Sequence, residues 1–138
     1  MTQQPQPNSC QPPCAVSITS DSVLVVLNGW DRILNWRRAI EFKSDTITAV
    51  RLADRAALEL LIDHRAFGWG THDGSKRPGH RRVGTMLGRG VPGKQFWAVG
   101  AGSSTTQLVV LDLQHHEFAR AVLEVHDPES FQDAAQRL

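Results

Sequence analysis

The chain has 138 residues, of which 41% are hydrophobic and 21% charged, and its formal net charge is +1. This composition is that of one ordinary soluble domain with enough apolar residues for a core. No apolar run reaches the length that spans a bilayer, and no signal-peptide pattern is present, so the two cysteines predict a reducing, cytoplasmic location.

Residues 1–14 are predicted to be a disordered tail, and residues 15–138 a single folded domain. The tail holds four Gln, four Pro and no charged side chain, so it cannot bury enough apolar surface to become ordered. It also contains Cys10 and Cys14. Because Zn²⁺ usually takes four ligands and no second pair lies nearby, two tail cysteines without a role are the favoured interpretation.

Alternation of apolar and polar residues predicts strands over 16–18, 23–27, 38–43 and 47–52. A short helix is predicted after the second strand, where 28–31 has the residues of a helix cap. The segment 54–63 fits a helix face and a strand about equally, and a short helix is favoured there.

The second half of the chain is predicted to contain four more strands, over 84–88, 95–99, 107–113 and 118–125. Strand 107–113 is apolar on both faces, so we expect both faces to be covered, with Asp112 near an open end. Strand 118–125 has the alternation of a half-exposed strand.

A helix is predicted to close the chain. Asp127 can accept hydrogen bonds from the free N–H groups of the first turn, and Pro128 suits the first helical position. The helix is short, so it must dock on an apolar surface, and the preceding strands offer one. Its apolar stripe consists of Phe131, Ala134, Ala135 and Leu138.

Strand-rich chains of this kind, with short helices and a terminal helix, form small barrels or sandwiches that the terminal helix closes. Several motifs also resemble those of the small, uncharacterised actinobacterial proteins with a bacterial pleckstrin-homology-like domain, over roughly residues 16–138. The motifs are Asn28-Gly29-Trp30-Asp31-Arg32 leading to Arg37-Arg38, Pro78-Gly79, Val83-Gly84-Thr85 followed by Gly88, Phe96-Trp97-Ala98-Val99, the strand 108–113, and Val125 to Pro128.

This resemblance implies a mainly β fold with a bent, seven-stranded antiparallel barrel or split sandwich. It also implies a short helix after strand 2 and a C-terminal helix that caps one open end. It implies no reaction.

The segment from Gly88 to Lys94 has the glycine and lysine spacing of a phosphate-binding P-loop. The next residue should be Ser or Thr and should open a helix, but it is Gln95, in a predicted strand. A hairpin turn is therefore favoured, and a nucleoside-triphosphatase is rejected.

The best candidates for acid–base or metal chemistry are His72, Asp73 and His80, because a carboxylate can orient an imidazole. No third ligand has the spacing of a metal motif, so solvated loop histidines are favoured. No cofactor and no metal are predicted.

The charge is distributed unevenly. No acidic residue lies between Asp73 and Asp112, so residues 74–111 carry a formal charge of +6 and the rest of the chain −5. A local basic field attracts anions. The candidate anion-binding residues, several of them in a predicted loop, are Lys76, Arg77, Arg81, Arg82, Arg89 and Lys94.

These observations predict a non-enzymatic binding module whose partner is another protein. One alternative is weak binding of an anionic ligand, or of the inner membrane surface, through the basic segment 74–94. Another is an enzyme built on His72, Asp73 and His80. Nucleic acid fits less well, because the net charge is near zero and no base-stacking motif is present.

Overall fold

The structure is a computed structural model that describes residues 14–27, 38–60, 82–87, 93–103 and 105–138. We number the described elements in chain order. A 3-10 turn, Ser44–Thr46, links the third strand to the fourth. The elements are β1 (Ala15–Ile18), β2 (Ser22–Val26), β3 (Ala39–Lys43), β4 (Ile47–Asp54), α1 (Arg55–Glu59), β5 (Arg82–Leu87), β6 (Lys94–Val99), β7 (Gln107–Leu113), β8 (Phe118–Leu123) and α2 (Pro128–Gln136).

The described strands form a three-stranded sheet, in the order β1-β2-β3, and a five-stranded sheet, in the order β4-β7-β8-β6-β5. The mainly β class and the C-terminal helix are thus confirmed. The described residues contain eight strands in two sheets without a closed barrel, so the finer prediction of a seven-stranded antiparallel barrel or split sandwich is not confirmed. The helix expected after the second strand falls within 28–37, outside the described residues.

The five-stranded sheet consists of two hairpins and a fifth strand, β4. The hairpins β5–β6 and β7–β8 are antiparallel, and β4 pairs with β7 at the edge. The hairpins join through β6 and β8, which run parallel. This junction places Gln95 beside Arg120 and Trp97 beside Val122.

The main core lies between the two sheets. Phe42 of the three-stranded sheet and Phe96 of the five-stranded sheet have ring centroids 6.5 Å apart, and Phe96 and Phe118 are 5.5 Å apart. Tilted pairs at such distances are favourable beyond their burial alone. Cys14 is buried in the same core. The tail prediction is therefore wrong for Cys14, which packs as a small apolar residue before β1; Cys10 lies outside the described residues.

His116 joins the two sheets at the turn between β7 and β8. Its Nδ1 accepts a hydrogen bond from the backbone N–H of Phe118 at 3.1 Å, and its Nε2 lies 3.1 Å from the carbonyl oxygen of Glu41. Because Nδ1 is an acceptor, Nε2 carries the proton and donates to Glu41. No local pattern in the sequence indicates this bond between the sheets.

Helix α2 begins as predicted. Asp127 accepts hydrogen bonds from the backbone N–H and the hydroxyl of Ser130, at 3.1 and 2.9 Å. The bond from the Ser130 N–H is the main cause that lowers the pKa of Asp127. Ala135 is buried in the main core. The amides of Gln132 and Gln136 donate to the carbonyl oxygen of Val50, so the helix also covers part of the β4 edge.

A second apolar cluster lies on the other face of the five-stranded sheet, which we call the outer face. Alternate residues of β7 belong to the two clusters, which confirms that this strand is covered on both sides. Leu58 brings α1 onto the outer face. The cluster consists of Leu58, Met86, Trp97, Val99, Leu108, Val110 and Val122.

Candidate functional site: the outer face of the five-stranded sheet

Two groups of polar residues, most of them charged, flank the apolar cluster on the outer face. Arg82 pairs with Val99 at one end of the β5–β6 hairpin, and Met86 pairs with Gln95 towards the other end. Arg82 belongs to the first group, which we call the buried triad: Arg55, Glu59 and Arg82. Gln95 belongs to the second group, which we call the arginine row and which crosses four strands: Arg51, Asp112, Arg120 and Gln95.

The buried triad is centred on the carboxylate of Glu59. One oxygen lies 2.9 Å from Nε of Arg55, and the other lies 3.1 Å from both Nε and Nη2 of Arg82. The side chains are at most 8% exposed. Arg55 and Glu59 are one helical turn apart, so α1 itself aligns their charges.

The buried triad also fixes the loop that follows β6. Nη1 of Arg55 donates to the carbonyl oxygen of Gly100, and the N–H of Gly100 donates to Oε1 of Glu124 at 2.8 Å. The backbone N–H of Arg55 donates to Thr106 at the far end of this loop. Charged groups buried this deeply are normally satisfied by partners, as these are. The geometry makes the buried triad a structural element.

The arginine row holds its charges closer to solvent. Nε and Nη2 of Arg51 donate to the two oxygens of Asp112 at 2.8 and 3.2 Å, and Nε of Arg120 donates to Oδ1 at 3.2 Å. The exposed fraction of the side chain falls from 44% at Arg51 through 28% at Asp112 to 14% at Arg120. Gln95, the last residue of the row, is 1% exposed.

These hydrogen bonds change the ionisation of the row. The bonds from Arg51 lower the pKa of Asp112, because they stabilise the carboxylate, and they outweigh the opposing effect of partial burial. The same contact raises the pKa of Arg51. With two arginines and one aspartate, the row carries a formal net charge of +1.

Gln95 contributes a donor that has no acceptor. Its Oε1 accepts the indole N–H of Trp97 at 3.3 Å. Its Nε2 is buried and, among the residues that the structure describes, has no hydrogen-bond partner. A buried donor without an acceptor costs roughly 1–3 kcal/mol, so such groups call for an explanation.

The structure describes two of the six predicted anion-binding residues, Lys94 and Arg82, and they differ in exposure. Lys94 is exposed at the start of β6, as expected of an available cation. Arg82 does not lie in a loop: it begins β5, is buried and is paired with Glu59. That expectation is wrong, because the basic run continues into a strand. The other four, Lys76, Arg77, Arg81 and Arg89, lie outside the described residues, as do His72, Asp73 and His80.

The arginine row was missed at the level of sequence. The alternation in 118–125 predicts a half-exposed strand but does not single out Arg120 as part of a site. The signal that could have revealed it is Val122, two residues further on and fully buried, since an apolar neighbour on the same side of a strand indicates a covered face. Gln95 gave no local signal, because its unpaired amide depends on Trp97 and on the register with β8.

Comparisons with protein-family models, with curated proteins and with solved structures give no match to this chain. Two further findings concern only the described ranges. They contain no group of three or more His, Cys, Asp or Glu side chains that could hold a metal ion. None of their helices has the length and apolar character needed to cross a membrane.

Proposed function

We propose that the chain is a non-enzymatic binding module that contacts an acidic segment of a partner protein through the arginine row. The observation that carries this proposal is the bidentate contact between Arg51 and Asp112. It holds a guanidinium in one orientation while 44% of the side chain stays exposed. A side chain that is already ordered loses less conformational entropy when a partner binds.

Charge supports an acidic partner. Arg51 and Arg120 outnumber the single carboxylate of Asp112, and Arg binds carboxylates in a planar, two-pronged geometry that Lys cannot form. The sequence between residues 74 and 111 adds six basic residues and no acidic one. Such an excess speeds the approach of an acidic partner and disfavours a basic one.

The alternative uses stay predictions. Binding of anionic lipid or phosphate through segment 74–94 loses Arg82 as a contributor, because Arg82 is buried and paired with Glu59. The enzyme built on His72, Asp73 and His80 rests on residues outside the described ranges. The relationship to pleckstrin-homology-like proteins is likewise a hypothesis, supported by the mainly β class and by a C-terminal helix packed on the core.

A hexaglutamate peptide is the direct probe. At low ionic strength it should bind the wild-type chain, shift the backbone resonances of β4 and β7 in an NMR titration, and dissociate at physiological salt, where the Debye length is about 8 Å. Arg51→Glu should abolish this binding. The matched control is Arg137→Glu, because Arg137 is also an exposed arginine paired with an aspartate, Asp133, at 2.8 Å.

The control should bind hexaglutamate as the wild type does. If the wild type does not bind at low salt, or if both variants lose binding equally, the arginine row is not the contact surface.

A further inference from the structure

The orientation of the Gln95 amide is fixed by its neighbour. The indole N–H of Trp97 can only donate, so the amide oxygen must face it. The NH₂ group then points away from Trp97. Exchanging the two amide atoms would set one donor against another and would lose the bond to Trp97.

The residues beside Gln95 offer the NH₂ group no strong acceptor. Across the sheet, Gln95 is flanked by Arg120 on β8 and by Met86 on β5. A guanidinium only donates, and a thioether is a weak acceptor. Arg120 itself uses Nε for Asp112, and in the described part of the chain its two terminal nitrogens have no partner. Gln95 and Arg120 are thus paired on neighbouring strands, and each brings unpaired donors and no acceptor that the other could use.

We infer that an oxyanion binds between the amide of Gln95 and the guanidinium of Arg120 on the outer face. The ligand must accept hydrogen bonds, because every unpaired group at this place is a donor. It should also be negative, because bonds between a charged donor and a charged acceptor are about twice as strong as neutral ones. A cation is excluded by the charge of Arg120.

The inference rests on the proposed function, since it supplies the group that an acidic partner would insert. Exposure rises along the row from Gln95 to Arg51, so the row extends from the buried amide to the solvent-exposed surface. A glutamate side chain of the partner would meet Arg51 at the surface and place its carboxylate against Arg120 and Gln95. The chemistry that is recognised is shared by carboxylates and phosphates.

The test uses the full chain, labelled with ¹⁵N and titrated separately with sodium acetate and sodium phosphate at millimolar concentrations. The reporters are the side-chain NH₂ signals of Gln95 and the indole N–H signal of Trp97, because the indole donates to the oxygen of the same amide. We expect both to shift saturably with at least one anion. The absence of a saturable shift with either anion would overturn the inference and would leave water as the acceptor.

A substitution that removes the amide separates specific binding from a salt effect. Gln95→Met keeps the length of the side chain and should weaken the affinity for the anion at least tenfold, as read from the Trp97 signal. Gln107→Met, at an exposed glutamine that begins β7, should leave the affinity unchanged. Equal affinity in both variants would place the anion elsewhere and contradict the inference.

The outcomes for site and function can be told apart. Binding of hexaglutamate that Arg51→Glu abolishes, without any anion effect at Gln95, would support the proposed function and refute the oxyanion site. Binding of an anion at Gln95 without any binding of hexaglutamate would support the oxyanion site and refute the proposed function. A stronger effect of phosphate than of acetate would identify a phosphate group, not a partner's carboxylate, as the ligand of the same site.

Discussion

The outer face of the five-stranded sheet places an arginine–carboxylate–arginine arrangement on each side of one apolar cluster. The two have the same chemical groups and similar distances, with Glu59 between Arg55 and Arg82 on one side and Asp112 between Arg51 and Arg120 on the other. They differ in burial. Solvent exposure, and not the set of residues, therefore decides whether paired charges fix the fold or remain available to a ligand.

The largest effect should follow from Glu59→Gln. This change leaves two buried guanidinium groups without their shared carboxylate, and removal of one partner from a buried ion pair costs about 3–5 kcal/mol. Denaturant unfolding measures it. Glu129→Gln, an exposed residue in the first turn of α2, is the matched control and should have almost no effect. A small loss for Glu59→Gln would mean that the buried triad does not stabilise the fold.

Asp112→Asn should cost less, about 1 kcal/mol, because partly exposed ion pairs are screened by solvent. The loss of stability in Asp112→Asn should also depend on pH. The pKa of Asp112 is lowered in the folded state, so its contribution is present above the unfolded value of about 4 and disappears as the pH falls through the folded value. The stability difference between wild type and Asp112→Asn should therefore be constant at neutral pH and vanish in acid.

Unfolding measured at a series of pH values checks this. A difference that persists below both pKa values would show that Asp112 stabilises the fold through something other than its charge.

Sequence patterns predicted the elements better than their arrangement. Periodicity places Leu108 and Val109 on opposite faces of β7, and Asp127 with Pro128 marks the start of α2, since these signals are local. The parallel pairing of β6 with β8 is not local, because alternation determines which face a residue occupies but not which strand lies beside it. The register that brings Gln95 next to Arg120 was therefore beyond the sequence.

Of the candidate site, only the positive sign of its charge could be predicted from the sequence. The basic excess of residues 74–111 is plain from the sequence, but it does not distinguish an exposed arginine from a buried, paired one. Arg82 belongs to that excess and is buried against Glu59, whereas Arg51 lies outside it and is the exposed end of the row. The partners of Arg51 and Arg82 are Asp112 and Glu59, which are distant in sequence, so tertiary contacts determine both pairs.

If the two arrangements divide stability and binding between them, Arg51→Gln and Arg82→Gln should have opposite effects. The free energy of unfolding and the hexaglutamate affinity are measured for both variants. We expect Arg51→Gln to lose affinity with little loss of stability, and Arg82→Gln to be strongly destabilised but to bind normally in the fraction that stays folded. Unchanged affinity in Arg51→Gln, or equal loss of affinity in the folded fraction of Arg82→Gln, would contradict this division.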